Sequence, residues 1–523
     1  MATSDSKESI TDRKLTGPCI PEYINVTSNK DKNNNVSLTG GFIRLMYYES
    51  LLSDTIRATV TWDDSGDTTN NQKKGGDSEE IGTAIDKLPI VGTEQVDFKV
   101  TDNRGNVLEF GSDKNNPLYV EKITPIFDDT RKSMATIVLV SKAYLVNEMG
   151  EAQVNKCYEG KISQHVENIL KENLKVEKKL DIEETGSKNF NYFGNTNKPF
   201  WCLNNLSSKA APQMSGGESN DANTAGFLLY ETDTSYHFKS LDTLLGQDPK
   251  KKVLYNESTP DFLPPEYDLK ALSYSRDTAV NIKEKFRMGA YSTRCISFNI
   301  FSKEYKSTLL SADTTKQVGG SSKKSGEIKG NQEKLTKAAK HLPHLNSQFN
   351  STKPNKEYTR TTWNIFDTGT RPAGNTKEQI RKSQEENFPL ETILNQSIMR
   401  YNQLFAFTTT ITIAGDFSLH AGDAILVDTI GLSNKTEDND EKNKESGGVY
   451  IIADLAHYIS EAETFTKLNL VRDSVGRKTP ERSPSSSAPA TPVTPRRPEG
   501  FMRVVTGIGD VVTGNRWDLD KRG

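Results

Sequence analysis

The residues that could do acid–base, metal or nucleophilic chemistry in this chain are few and scattered. Its six histidines, His165, His237, His341, His344, His420 and His457, stand far apart except for His341-Leu-Pro-His344. A zinc site needs three or four closely spaced ligands, and no cysteine or third ligand completes that pair, which reads as part of a loop. Asp63-Asp64 and Asp128-Asp129 fall at polar turns, where they need no catalytic role; a glycosidase-type acid pair would require a cleft around it. No GxSxG, HExxH, P-loop or Rossmann fingerprint stands in a context that makes chemistry plausible. No catalytic, cofactor-binding or metal-ligating residue is assigned, no cofactor is expected, and the chain reads as a non-enzyme.

Cys19, Cys157, Cys202 and Cys295 form no CxxC pair and read as reduced, mostly buried thiols. Lys+Arg numbers 67 against 70 Asp+Glu, a formal charge of -3, so no global attraction to nucleic acid or acidic lipid is expected. The basic spots Lys323-Lys324, Lys329 and Arg496-Arg497 read as solvated loop charges. MATSDSKESITDRK lacks the apolar core of a signal peptide, and no stretch approaches the ~18 apolar residues of a transmembrane span. A soluble product of a reducing compartment is the expectation.

The chain's 523 residues suit three or four domains. The pattern predicts a mainly β protein with an α+β middle region: an N-terminal arm over 1–40, a first barrel over 41–141, a helix-containing region over 142–284, and a second barrel over 285–475. In the first block, alternating runs flank the polar loop DDSGDTTNNQKKGGDSEE, and Pro125 marks an edge strand or a bulge. Ile162, Val166, Ile169 and Leu170 share one side of a helix reaching Leu174. A second helix runs from Pro199 to Ala211, anchored by Trp201 and Leu206, and short strands follow at Phe227–Tyr230 and Tyr236–Phe238. The stretch 303–388 reads as a polar excursion without a core. ETILNQSIMRYNQLF supplies a helix through Ile393, Leu394, Ile398 and Leu404 that feeds the last β region, within which SNKTEDNDEKNKES reads as a surface loop. A Pro/Ser-rich tether over 476–500 ends in an apolar docking segment over 501–523.

One stretch echoes another. Tyr119–Val140 lies over Tyr450–Val471 without a gap, matching a Tyr and the closing apolar phase, although Ile123 then meets Asp454. Upstream, Gly92-Thr93-Glu94 meets Gly422-Asp423-Ala424. The echo predicts two copies of a small antiparallel barrel; three such chains would present six modules about one axis. Gly415 and Gly422 flank a short connection in the second copy that predicts a tight turn.

LFAFTTTITIAGDFSLHAGDAILVD followed by GGVYIIADLAHYISEAETFTKLNLVRD resembles the barrel-closing passage of the baseplate hub of contractile-tailed, T4-like phages, itself similar to the hub portion of type VI secretion spike proteins. RMGAYSTR is similar to the lead into that family's second tube domain, and PFWCLNNLSSKA to its middle helix. The resemblance covers roughly residues 40 to 475 and implies a homotrimeric ring in the virion's tail baseplate, made in the host cytoplasm. The implied partners are a central spike protein, a tail tube or tube-initiator protein and neighbouring baseplate proteins, with DNA only in transient passage and no stable membrane insertion. The long excursion and the tethered C-terminal segment depart from the family. A carbohydrate-binding tail or adhesin module is the alternative, and a hub with peptidoglycan-degrading activity a lesser one.

Overall fold

The computed structural model describes residues 16–64, 84–129, 132–186, 190–213, 225–255, 263, 267–277, 281–299, 304–311, 360–366, 376–377, 390–405, 407–429 and 448–472. The polar loops at 65–82 and 433–446, the tether, the docking segment and His341 and His344 lie outside them.

The first half supplies β1 (Tyr23–Thr27), β2 (Asn35–Ser37), β3 (Phe42–Ser50), β4 (Arg57–Asp63), β5 (Gln95–Thr101), β6 (Val107–Phe110), β7 (Leu118–Asp129) and β8 (Lys132–Ser141). Strict alternation in β5, with Val96, Phe98 and Val100 buried between polar neighbours, explains why one face turns to the core. The middle region holds β9 (Cys157–Tyr158), β10 (Lys179–Ile182), β11 (Tyr192–Phe193), β12 (Phe227–Glu231) and β13 (Ser235–Ser240). Its helix Ile162–Asn168 continues as a π-helical turn to Asn173, as the apolar period predicts. The helix starting at Pro199 stops at Ser207, with proline in the first turn where its missing N–H costs nothing. Leu206 is its buried anchor; Trp201 is instead 37% exposed, on the outer side of the helix.

The second half contains β14 (Lys251–Tyr255), β15 (Leu269–Asp277), β16 (Ser292–Asn299), β17 (Glu304–Ser311), β18 (Arg360–Phe366), β19 (Phe407–Ala414), β20 (Ala424–Thr429), β21 (Gly448–Ser460) and β22 (Thr464–Arg472). Strands β21, β20, β14, β15, β19 and β22 pair in a closed six-strand ring. β14 runs parallel to both its neighbours, so the ring is antiparallel except there. β14 and β15 precede residue 285, so the ring reaches back into the stretch expected to be the middle region. β16, β17 and β18 instead form a separate three-stranded sheet. Two strands of the polar excursion therefore have partners, which its composition concealed.

The two copies match in ladder register except toward the end of β7, where Ile126 is a further extra residue that β21 lacks. In the hairpin β7–β8, Val120 faces Leu139, Glu121 is an extra residue, and Lys122 and Ile123 face Val138 and Ile137. In β21–β22, Ile452 faces Leu470, Ala453 is extra, and Asp454 and Leu455 face Asn469 and Leu468. A second bulge repeats as well: Ile43 is extra between Phe42 and Arg44 on β3, opposite β4, and Leu272 between Ala271 and Ser273 on β15, opposite β19. Bulges interrupt the ladder and bend a strand, so two at the same places fix the correspondence far better than apolar phase does. It corrects the gap-free alignment by one residue in the first arm: Ile123 corresponds to Leu455, both on the core side, and the mismatch with Asp454 disappears. Asp128 and Asp129 end β7 opposite Ser133 and Lys132, not in a turn. Among the described residues, no backbone pairing joins β1 or β2 to β3, so the first copy lacks the closure that β14 gives the second.

One hydrophobic cluster runs through both copies, from Ile24, Trp62 and Phe98 to Ile413, Ile452 and Leu470. Each fully buried aliphatic side chain there contributes about 1.5–3 kcal/mol. The helix Leu390–Leu404 leads into β19 as expected, and is buried over Ile393–Tyr401. Its polar residues are tied to the middle region: Arg400 donates to Asp242 (2.7 Å) and to the Ala225 carbonyl (2.9 Å). No helix among the described residues is long and apolar enough to cross a membrane.

Candidate functional site

The two copies meet at a seam, where β21 pairs antiparallel with β3 from Asp454 opposite Ser50 to Ser460 opposite Arg44. Ser50 Oγ donates to Asp454 Oδ1 at 2.6 Å, and the rings of Tyr47 and His457, directly opposite each other, stack at 5.9 Å. A second tie crosses nearby: Asp102 Oδ2 accepts from the Phe417 amide at 2.9 Å.

At the end of the seam, Glu49, Asp233 and His420 bring ligand-type atoms together from β3, the β12–β13 turn and the β19–β20 connection. The carboxylate of Glu49 is fully buried. Its Oε1 accepts from Tyr47 Oη (2.7 Å), His420 Nδ1 (3.1 Å) and the Asp233 amide (3.2 Å), and Oε2 from the Ala421 amide (2.8 Å). Those donors occupy the lone pairs that a cation would need, so the cluster works as an internal ion pair. Burial alone would lower the His420 pKa, but the charge and hydrogen bond of Glu49, with Asp233 and Asp423, raise it to about 9. Burial raises Glu49, and the His420 charge and its hydrogen bonds outweigh that and hold it below the usual carboxylate range. Burial pushes His457 down to about 3, so it stays neutral in the seam.

The connection before β20 repeats the first copy's chemistry. Glu94 accepts from the Val91 amide at 2.9 Å and Asp423 from the His420 amide at 2.9 Å, each three residues back. Gly422 has φ +91°, and a Cβ there would sit 2.5 Å from Tyr230 Oη; at Gly415 it would meet Thr464 Cγ2 at 2.6 Å.

The remaining titratable candidates make local contacts. His165 Nε2 lies 2.5 Å from the Phe190 carbonyl, and His237 pairs with Asp181 at 3.0 Å. Asp64 caps the turn at Ala84, whose amide it accepts at 2.5 Å. None of the four cysteines is in a disulfide, and Cys157 alone is exposed. Sequence reasoning missed the Glu49–His420 pair because its members are 371 positions apart; the one local signal is an acidic residue at a core-facing position of β3. It also missed a surface row on the small sheet. Tyr305, Phe298 and Ile365 are cross-strand neighbours with Trp363 on the same face, and Trp363 and Ile365 are 71% and 70% exposed.

No protein-family model matches the sequence, and no curated protein matches it. The structure is similar to that of the 43 kDa tail protein of prophage MuSo2 from Shewanella oneidensis, at 8% identity and a TM-score of 0.44, covering 87% of this chain and 99% of that one. It is also similar to a tail protein from Neisseria meningitidis, at 9% identity and a TM-score of 0.42, covering 86% and 96%. A third likeness is to an E. coli component of the type VI secretion system that is itself described as similar to T4 tail proteins, at 8% identity and a TM-score of 0.36, covering 84% and 76%.

Proposed function

We propose that the chain is a structural hub of a contractile-tail baseplate, three copies forming a ring that adapts a six-fold tail tube to a three-fold central spike. The observation that carries this reading is the pair of equivalent β modules, the second a closed barrel and the first without that closure, which share two bulges and are joined edge to edge. Two equivalent modules per chain give six per trimer, the number a six-fold neighbour requires. The role proposed is structural and non-catalytic, with the buried Glu49 carboxylate held by hydrogen bonds from Tyr47, His420 and the Ala421 and Asp233 amides. A net charge of -3 suits a channel that DNA traverses, since each phosphate contact would add unwanted affinity. Phe501–Trp517 is proposed to dock on the spike or a neighbouring baseplate protein, its tether keeping it at high local concentration. Light scattering should give a mass about three times the 58.2 kDa of one chain; a stable dimer contradicts the reading.

The exposed row on the small sheet favours a second reading, a carbohydrate-binding tail module in which Trp363 and Tyr305 stack on sugar rings. Glycan binding lost in Trp363→Ala would support it, and no glycan binding by the intact chain would remove it.

A further inference from the structure

We infer that the open edge of β7 in one chain pairs antiparallel with the open edge of β15 in a second copy, in the register that β21 and β3 use within one chain as far as Pro125, beyond which β7 has a bulge at Ile126 that β21 lacks. This rests on the ring reading and supplies its joint. The bulges make β15 the counterpart of β3, and β7 the counterpart of β21. β3 and β21 pair with each other, while their counterparts have no such partner inside the chain. β15 is bonded to β19 on one side and on the other only to β14, at Leu269 and Lys270. β7 is bonded to β8 on one side and on the other to β5 at Leu118 and Tyr119 and, through Val120, to Thr93 and Glu94. Beyond these residues no strand ladder joins either edge among the described residues, and each edge carries an exposed aliphatic side chain: Ile126 on β7, 53% exposed, and Leu272 on β15, 46% exposed. An unpaired edge is a template for another strand.

The operation that carries the first copy onto the second, applied again, lays β7 of a neighbouring chain on β15. Such an interface is head-to-tail, and it closes into a ring when the rotation divides a full turn. Within the chain, the Leu51 amide donates to the Ala453 carbonyl at 2.8 Å, which sets the alternation along the seam. Leu455 with Glu49 and His457 with Tyr47 then exchange backbone bonds, while Ala456 with Tyr48 is a close non-bonded pair. Between chains, Thr124 takes the place of Ala456 opposite Asp277, and Pro125 that of His457 opposite Arg276. Pro125 has no N–H, so this ladder has one bond fewer than the internal seam. The proline makes the free edge a poor template for unselected strands and leaves its carbonyl to accept from Arg276.

The experiment uses the full chain with Cys157→Ser, to remove the exposed thiol, and adds Thr124→Cys and Asp277→Cys. Cα atoms in a non-bonded pair lie about 4.5 Å apart, within disulfide reach. Mild oxidation should yield covalent dimer and trimer and nothing larger. The register control, Thr124→Cys with Ser275→Cys, should cross-link at least ~10-fold less, because diagonal neighbours stand about 7–8 Å apart. Light scattering of the unoxidised protein separates the failures. A trimer with no cross-link, or with equal cross-linking in the control, overturns this joint and leaves the hub reading standing. A monomer without cross-links overturns both.

Discussion

Val120 and Ile452 make the same two backbone hydrogen bonds. Val120 accepts from Thr93 (2.8 Å) and donates to Glu94 (2.9 Å); Ile452 accepts from Gly422 (2.9 Å) and donates to Asp423 (2.9 Å). The residue holding the turn has positive φ both times, +70° at Thr93 and +91° at Gly422. Only the second has the side chain suited to it.

The two turns should respond oppositely to substitution. Thr93→Gly relieves a left-handed strain of about 1–2 kcal/mol and is expected to be neutral or mildly stabilising in denaturant unfolding. Gly422→Val adds that strain and presses a Cβ onto Tyr230, an overpacking of about 1–3 kcal/mol, so a loss of roughly 3 kcal/mol is expected. Wild-type unfolding in that variant would show the glycine to be dispensable.

The seam should weaken in alkali. The folded pKa of His420 is raised to about 9, above its ordinary value of 6.5, so its contribution is complete below 6.5 and is lost as pH rises through about 9. Thermal unfolding at pH 6.5 and 9.5 should show this loss in the wild type and a much flatter response in Glu49→Gln. A Glu49→Gln curve parallel to the wild type would remove the ion pair from the account.

Acid should act through His457. Its folded pKa is depressed to about 3, so the unfolded state takes up the proton first, and stability falls as pH drops from about 6.5 toward 3. His457→Phe keeps a ring against Tyr47 and should lose less stability than the wild type between pH 6.5 and 4. Equal losses would assign the acid sensitivity elsewhere.

How much of this was legible in the sequence depends on the distance over which each feature is encoded. Local periods placed the helix at Ile162, the proline-started helix at Pro199, the helix reaching Leu404 and strands β19 to β22. The duplication was visible in apolar phase, but its register was not, because a bulge such as Ala453 leaves no residue-type mark and moves the alignment by one. β14 and β15 escaped the second barrel because the strands that join them to it, β20 and β19, lie more than a hundred residues on. The sequence pattern makes Trp201 a helix anchor beside Leu206, whereas the helix turns that position outward. The Glu49–His420 pair had no spacing to betray it.

Arg400 and Asp242 test how firmly the long helix holds the middle region to the barrels. Their side chains are 1% and 3% exposed and 2.7 Å apart. Arg400→Leu strands a buried carboxylate and should cost about 3–5 kcal/mol, while Arg400→Leu with Asp242→Leu should recover much of it. A double variant no better than the single, by denaturant unfolding, would contradict that view.

Removing residues 495–523 should leave oligomerisation unchanged and deplete the spike or a neighbouring protein from purified baseplates. Unchanged baseplate composition would reject docking by that segment.

Averaged electron-microscope images of the purified full-length chain, viewed down the particle axis, test the central claim most directly. The hub account predicts a closed three-fold ring with six similar lobes around an open channel, two lobes to each 58.2 kDa chain. Isolated two-lobed particles, or a two-fold dimer without a channel, would contradict it.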